Sequence, residues 1–434
     1  MIFPNKITAC LICGSNELIE IASLGVQPLS GVFPEPNEPD PAISPLTLMY
    51  CNSVASKNFC RNVQLSHFSN FDSMYGANYG YNSSLSEKMI GHLNLLAKSI
   101  IEISKINADD YVLDIGCNDG SLLNMFSGLT NNLIGVDPSG EKFKHLMNPA
   151  ISFFPDYFPS QKLFDYLGNQ KVKIVTSIAM FYDLLEPLQF AQNIHKILSD
   201  DGLWVVELAE MTRFLSNLSY DQICHEHILY LDSNQMMNIA SQAGFKLEKL
   251  SFNGMNGGSA CYYFRKSKQP QDLLHPIVNF ELYRQLERRI QANRLELRSL
   301  VSLLKTNNKV IYGYGASTKG NVLANFIGIN INDMSFISDA NKYKWGRHTP
   351  GTRIPIISHE EMRKKNPDYL FVFIWHLRDE VIKTELSFIK SGGKLIFPLP
   401  RPLIVDDKNY HLYLNNDFDD VAYKLDLDFT QYNS

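Results

Sequence analysis

From residue 86 onward the chain alternates between two hydrophobic periods. The stretch "SEKMIGHLNLLAKSIIEIS" (86–104) repeats apolar residues at helical spacing, with Ser86 where a helix N-cap belongs. Four short apolar runs follow, "YVLDIG" (111–116), "NLIGVD" (132–137), "KIVTSI" (173–178) and "GLWVVEL" (202–208), separated by helical stretches. Strands alternating with helices predict a parallel, doubly wound sheet, because each parallel crossover lays a helix over one face. A charge-laced segment (276–307) then predicts a long helix joining two domains. Beyond it the alternation resumes with "KVIYGYG" (309–315), "MSFISD" (334–339), "YLFVFIW" (369–375) and "KLIFPLP" (394–400), which predict a second open α/β domain.

Residues 1–85 break this pattern. They read as loop-rich, and the proline-dense stretch 25–45 has little periodicity, so a metal staple is expected in place of an apolar core. Four of the seven cysteines, Cys10, Cys13, Cys51 and Cys60, fall in this part. A CxxC knuckle plus two more thiols supplies the four soft ligands of a tetrahedral structural zinc; the alternative is four buried thiols packed as small hydrophobes. A length of 434 residues fits two or three domains. The net charge of −5 leaves no basic footprint for nucleic acid. No run approaches the roughly 18 apolar residues of a membrane span, and "MIFPNKITAC" does not read as a signal peptide, so a cytoplasmic location is expected.

Three motifs carry chemistry. In "VLDIGCNDGSLLNMF" (112–126) a strand runs into a glycine turn, and Gly116 and Gly120 let backbone approach a ligand closely. The pattern Asp114-x-Gly116-xxx-Gly120, with Asp137 and Pro138 after the next strand, is the form that binds S-adenosylmethionine; an ordinary strand-helix turn is the alternative. Asp137 is placed to accept from a ribose diol. In "YGYGASTKGNVLANF" (312–326) a helix N-terminus with Ser317, Thr318 and Lys319 suits an anion such as a diphosphate, or is a turn with a solvated lysine. "DQICHEHILY" (221–230) holds His225, Glu226 and His227, too closely spaced for an HExxH zinc site. In extended backbone the two imidazoles share a face opposite Glu226. A metal site with Cys224 and a surface coincidence are the alternatives to a histidine general base, which we favour. "NGMNGGSACYY" (253–263) reads as a hairpin or bulge.

Together these pieces resemble the S-adenosylmethionine-dependent sugar C-methyltransferases of deoxysugar pathways. The resemblance runs through "LGVQPLSGVF", "CRNVQL", "YGANYGYNSSLSEKMIGHL", "LDIGCNDGSLL", "YDQICHEHILY", "NGGS", "GYGASTKGNVL", "KWGRHTPGTRIPI" and "FIWHLRDEV". It implies a zinc-binding module (1–75), a Rossmann-like class I methyltransferase domain (76–270), a C-terminal Rossmann-like domain holding a nucleotide sugar (271–405) and a tail (406–434). It puts zinc on Cys10, Cys13, Cys51 and Cys60. The methyl donor falls on Asp114, Gly116, Asn118, Asp119, Gly120, Asp137 and Pro138. The sugar falls on Tyr79, Tyr81, Cys224, Asn256, Gly257, Gly258, Ser317, Lys319, Lys344, Arg347, Trp375 and His376.

The implied reaction methylates carbon, expected at C3, of a nucleotide-diphosphate 4-keto-6-deoxyhexose through an enolate. His227 is the expected base and Glu226 its orienting group. His225, Tyr79 and Tyr182 are further catalytic candidates, with Tyr182 standing in for a histidine usual upstream. Three departures mark the chain: Cys224 replaces a tyrosine, Cys261 replaces an arginine after "GGS", and 177–187 reads "SIAMFYDLLEP". Competing readings are an O- or N-methyltransferase on a nucleotide sugar, a nicotinamide-dependent oxidoreductase, and a non-catalytic zinc-containing binding protein. The oxidoreductase reading suffers because "GYGAST" lacks a following acid at the expected place.

Overall fold

The structure, a computed structural model, describes residues 4–53, 60–70, 74, 82–269, 278 and 280–414. Tyr79 and Tyr81 lie outside these. The N-terminal part is more ordered than its composition predicts. Strands β1 (Asn5–Lys6), β2 (Leu18–Pro28), β3 (Ile43–Cys51), β4 (Val63–Leu65) and β5 (His67–Phe68) replace the expected loops. β2, β3 and β4 form an antiparallel sheet, and β1 pairs with β5. Two register slips in β2 and prolines at strand ends hid the alternation.

The central domain opens with helix α1 (Glu87–Ser104), whose N-cap Ser86 accepts from the Met89 N–H as expected. Strands β6 (Tyr111–Ile115), β7 (Leu133–Val136), β8 (Ile151–Phe154), β9 (Val172–Ile178) and β10 (Leu198–Ala209) pair in parallel in the order β8-β7-β6-β9-β10. Helix α2 (Met211–Asn217) comes next, and then β11 (Leu229–Tyr230) crosses to the N-terminal sheet and pairs with β4. The antiparallel hairpin of β12 (Phe245–Asn253) and β13 (Ser259–Lys266) completes the central sheet beside β10.

Helix α3 (Phe280–Thr306) joins the halves. It buries Tyr283, Leu286, Ile290, Asn293, Leu297, Val301 and Leu304 at three- and four-residue spacing. The N-terminal sheet packs on its first turns, where Tyr50 meets Phe280 and Tyr283. That sheet therefore shares a hydrophobic core with the C-terminal domain, which its loop-rich reading did not anticipate. The C-terminal sheet contains β14 (Ile311–Tyr314), β15 (Ile337–Ser338), β16 (Ile356–Ile357), β17 (Tyr369–Val372), β18 (Lys394–Phe397) and β19 (Leu403–Val405), with helix α4 (Thr318–Ile327) after β14. Its order is β16-β15-β14-β17-β18-β19, parallel except for β19.

In each α/β sheet the chain order reverses once, between β6 and β9 and between β14 and β17. Open α/β sheets bind ligands at such switch points, outside the carboxyl ends of the strands.

Candidate active site and metal centre

The first switch point carries the glycine turn expected to meet the methyl donor. Gly116 has φ +79°, and a Cβ there would lie 3.1 Å from Met180 Cγ, so a side chain is excluded by both conformation and packing. Met180 belongs to the divergent 177–187 segment, which leaves β9 on the other side of the switch. Asp114 is buried and accepts from Thr176 Oγ1 at 2.6 Å; burial pushes its carboxyl up to about 7. Asp137, buried beside Pro138, accepts from the Asn118 N–H at 2.8 Å and from Ser139 N–H and Oγ at 2.6 and 2.7 Å. It thereby ties the turn after β6 to the loop after β7. A carboxylate offers roughly four acceptor positions, which leaves about one for a ligand hydroxyl. Asn118 Oδ1 accepts from Ser83 N–H, and Asp119 Oδ2 from Ser84 N–H, so both side chains also hold the segment entering α1. Gly120 opens only a four-residue helix, Ser121–Asn124, shorter than the sequence suggests. Three acids around a glycine turn suit a ligand whose polar edge is an ammonium and a ribose diol, as in S-adenosylmethionine.

The "CHEH" segment is not extended. A single 3-10 turn at Tyr220–Gln222 gives way to a bend, and this sends the two imidazoles in different directions. The expectation of a shared histidine face is therefore corrected. His225 turns toward the N-terminal sheet, where its Nδ1 lies 3.2 Å from Ser30 Oγ and its Nε2 3.3 Å from the Ser44 carbonyl. Both ring nitrogens are engaged, and burial lowers its pKa to about 4. His225 thus anchors the loop from outside. His227 turns inward and packs on Tyr182, with ring centroids 4.1 Å apart. Burial, and then the Lys319 charge, hold its pKa well below the usual imidazole value. Main-chain bonds clamp the residue after it: Ile228 N–H donates to the Tyr182 carbonyl, and Leu65 N–H of β4 donates to the Ile228 carbonyl.

Glu226 does not orient His227, since among the described residues no hydrogen bond joins them. Its buried carboxyl is pushed up to about 7 by burial, against which the Cys224 thiol and the Lys319 charge act. Glu226 Oε1 has no hydrogen-bond partner. Gly31, in the "LSGVF" stretch, lets it lie there, because a Cβ at Gly31 would be 2.2 Å from Oε1. Sequence reading missed Gly31, whose only signal is its place in the resembling stretch.

The second switch point faces this loop. Lys319, in the first turn of α4, lies 3.5 Å from Asn256 Oδ1. Asn256, Gly257 and Gly258 form the turn of the β12–β13 hairpin, as expected, yet the apex also reaches the cleft. Gln222 Nε2 and Asn217 Nδ2 hold its carbonyls at 3.1 and 2.6 Å. Trp375 is fully buried and donates to Asp221 Oδ2 at 2.7 Å. Lys88 Nζ lies 3.4 Å from the His376 carbonyl. Asp221 escaped the sequence reading although it stands within the quoted motif.

Other C-terminal candidates are occupied within the protein. Ser317 Oγ caps α4 by accepting from Gly320 N–H. Lys344 donates to the Ala316 carbonyl at 2.7 Å and pairs with Asp339. Arg347 pairs with Glu35 and donates to the Phe33 carbonyl. Asp339, at the end of β15, is the acid that the sequence reading found lacking after "GYGAST". Cys261 lies on β13 opposite Glu207, whose carboxylate is met by His92 and Asn253 instead.

The four N-terminal thiols converge. Cys10, Cys13, Cys51 and Cys60 have all Sγ atoms within 4.8 Å of one another, with Cys10–Cys60 at 3.5 Å and Cys13–Cys51 at 3.6 Å. Tetrahedral bonds of about 2.3 Å to zinc put sulfurs about 3.8 Å apart, so the quartet fits the ion. The separations are too long for disulfides. No helix among the described residues is long and apolar enough to cross a membrane.

Three family models match in succession: "Putative zinc binding domain" over residues 10–75, "Methyltransferase domain" over 85–250 and "C-methyltransferase C-terminal domain" over 255–400. The chain is 25% identical to C-methyltransferase NovU of Streptomyces niveus over 414 residues, covering 92% of this chain and 97% of that one. Among solved structures, LepI in complex with SAM overlaps 43% of this chain and 54% of its own at 16% identity and TM-score 0.33. The CcbJ methyltransferase of Streptomyces caelestis overlaps 39% and 89% at 13% identity and TM-score 0.31. S-adenosylmethionine is the methyl donor of such a domain, and zinc the ion of the cysteine quartet. The chain is thus an S-adenosylmethionine-dependent C-methyltransferase whose successive parts match a zinc-binding domain, a methyltransferase domain and a C-methyltransferase C-terminal domain.

Proposed function

We propose that the protein methylates C3 of a nucleotide-diphosphate 4-keto-6-deoxyhexose through an enolate, in the cytoplasm, where the zinc thiols stay reduced. The observation that carries this reading is a buried imidazole, His227, packed 4.1 Å from the Tyr182 ring, with burial and then the Lys319 charge opposing its protonation. Transfer to an oxygen or nitrogen needs no carbon acid. A carbon acceptor needs a base, a cation or hydrogen-bond donor for the developing oxyanion, and exclusion of water.

His227 takes the C3 proton, and Tyr182 holds the imidazole in place. Glu226 acts through its unpartnered oxygen on the substrate rather than through His227. Asp114, Asn118, Asp119 and Asp137 with the Gly116–Gly120 turn hold S-adenosylmethionine, which supplies an electrophilic methyl group when bound. Asp339 accepts from the ribose of the nucleotide, the role of an acid at the end of the second strand in such sheets.

Gly31→Ala tests the Glu226 assignment. The added methyl displaces only the end of a flexible side chain, so thermal stability is expected to stay near that of the wild type. A catalytic carboxyl shifted by about 1 Å costs up to about 10²-fold in rate, which steady-state kinetics reads. A wild-type rate in this variant would remove Glu226 from the chemistry. The whole reading is tested by incubating the protein with labelled S-adenosylmethionine and dTDP-, GDP-, UDP- and CDP-linked 4-keto-6-deoxyhexoses, with products followed by mass spectrometry. A mass gain of one methyl on the sugar of one of them is expected; no transfer to any of the four would refute it.

A further inference from the structure

Lys319 stands where a lysine is poorly suited. The positive end of a helix dipole disfavours a nearby ammonium, yet Lys319 is the second residue of α4. Burial further opposes its charge. A residue that breaks two local rules at a cleft marks function rather than packing.

Its surroundings explain what holds it. The charges of Asp221, Cys224 and Glu226 favour the ammonium, which in turn opposes protonation of His227 and His376; a Cβ on Gly31 would lie 2.2 Å from Glu226 Oε1 and 3.4 Å from Oγ1 of Thr318, the residue before Lys319. Lys88 reaches only the His376 end of this group. Its direct partner, Asn256 Oδ1, is at the limit of a hydrogen bond at 3.5 Å. Among the described residues, Glu226 Oε1, Asp221 Oδ1 and His376 Nδ1, each in a group whose charge interacts with that of Lys319, are buried without a hydrogen-bond partner. Buried polar atoms are nearly always bonded, so three such atoms linked by charge to one cation outline a space completed by a ligand's polar atoms. The basic residues of the neighbouring "KWGR" motif are tied to Ala316, Asp339, Phe33 and Glu35 and do not reach this space.

We propose that Lys319 is a catalytic residue whose ammonium binds the substrate carbonyl oxygen and stabilises the enolate formed as His227 removes the neighbouring proton. The inference rests on the carbon-methylation reading above. The C–H bond breaks heterolytically, and its proton goes to the free imidazole nitrogen. The electron pair moves through the C–C bond onto the carbonyl oxygen, now paired with the ammonium. The positive charge of Lys319 favours the ionised forms of Asp221 and Glu226 against their burial, and these acids offset the imidazolium as it forms. The carbonyl re-forms as the carbon bonds the donor's methyl group; the methyl–sulfur bond breaks with its electron pair kept by sulfur, so the sulfonium leaves as a neutral thioether, and the imidazolium later loses its proton to water. This differs from a diphosphate-binding lysine, which would hold the substrate equally before and during the reaction.

The test compares wild type, Lys319→Met and Lys319→Ala on the nucleotide sugar selected by the four-member panel. Three readouts are needed: deuterium exchange at the carbon beside the ketone without methyl donor, kcat for methylation, and affinity for the matching nucleoside diphosphate. Lys319→Met is expected to lose about 10²–10³-fold in both exchange and kcat, the loss typical of removing one oxyanion donor, with nucleoside diphosphate affinity retained. Added ethylammonium is expected to restore part of the Lys319→Ala rate, which a folding defect would not allow. Wild-type exchange in Lys319→Met, or lost nucleoside diphosphate affinity with kcat intact, would overturn the assignment while leaving the carbon-methylation reading standing. A wild-type protein that neither exchanges nor methylates any panel member would overturn both.

Discussion

His227→Ala is expected to lower kcat at least about 10²-fold while leaving the affinity for S-adenosylmethionine unchanged. The imidazole meets the requirements of a general base at cellular pH. Burial and Lys319 keep it neutral, so it does not have to lose a proton first. A neutral imidazole carries one ring N–H and keeps its other nitrogen as an acceptor for a proton. Its low basicity means that it cannot remove an unactivated C–H proton, which is why the oxyanion must be stabilised at the same moment. Because the ring packs on Tyr182, truncation also leaves a void, so His227→Gln is the companion variant. Steady-state kinetics and calorimetric titration with S-adenosylmethionine check both. Wild-type turnover in either variant would take His227 out of the reaction.

Cys60→Ser is expected to release the zinc and to lower activity, although the quartet lies outside the cleft. Structural zinc contributes about 10–16 kcal/mol of apparent binding energy in zinc-finger peptides, where binding is folding. Here the sheet also packs on α3, so part of its stability survives loss of the ion. The catalytic loop is the element most exposed to that loss. β4 comes soon after Cys60 and pairs with β11, which comes soon after His227. β3, which ends in Cys51, supplies the Ser44 carbonyl to His225. Metal content should fall from one zinc per chain to none, with a lower melting temperature and a reduced kcat. A zinc-free protein with unchanged melting temperature and full activity would show that the quartet does not support the loop.

Much of the α/β architecture was readable because parallel strands buried on both faces appear as unbroken apolar runs, as in β6, β9 and β10. The unreadable parts owe their structure to distant partners. β12, "FKLEKLSFN", has mostly exposed or half-buried positions, and its pairing with β13 is what makes it a strand. β11 is two residues long and exists because β4 lies beside it. The methyl-donor turn and the cysteine quartet were found from spacing, since their ligands are local in sequence or of one rare type. The acid/base cluster was only half legible. His227 and Tyr182 were named and do meet, but the opposed directions of His225 and His227 come from a turn that no periodicity announces. Lys319 read as an anion-binding residue because its motif looks like one; its company of Asp221, Glu226 and His376 comes from two distant segments and is visible only after folding.

The most direct test of carbon methylation through an enolate uses S-adenosylmethionine with a carbon-13 methyl group and the nucleotide 4-keto-6-deoxyhexose that the protein accepts. Nuclear magnetic resonance of the product is expected to show the label as a methyl bonded to ring carbon C3 beside the ketone. A label appearing at the chemical shift of an O-methyl or N-methyl group would contradict the account.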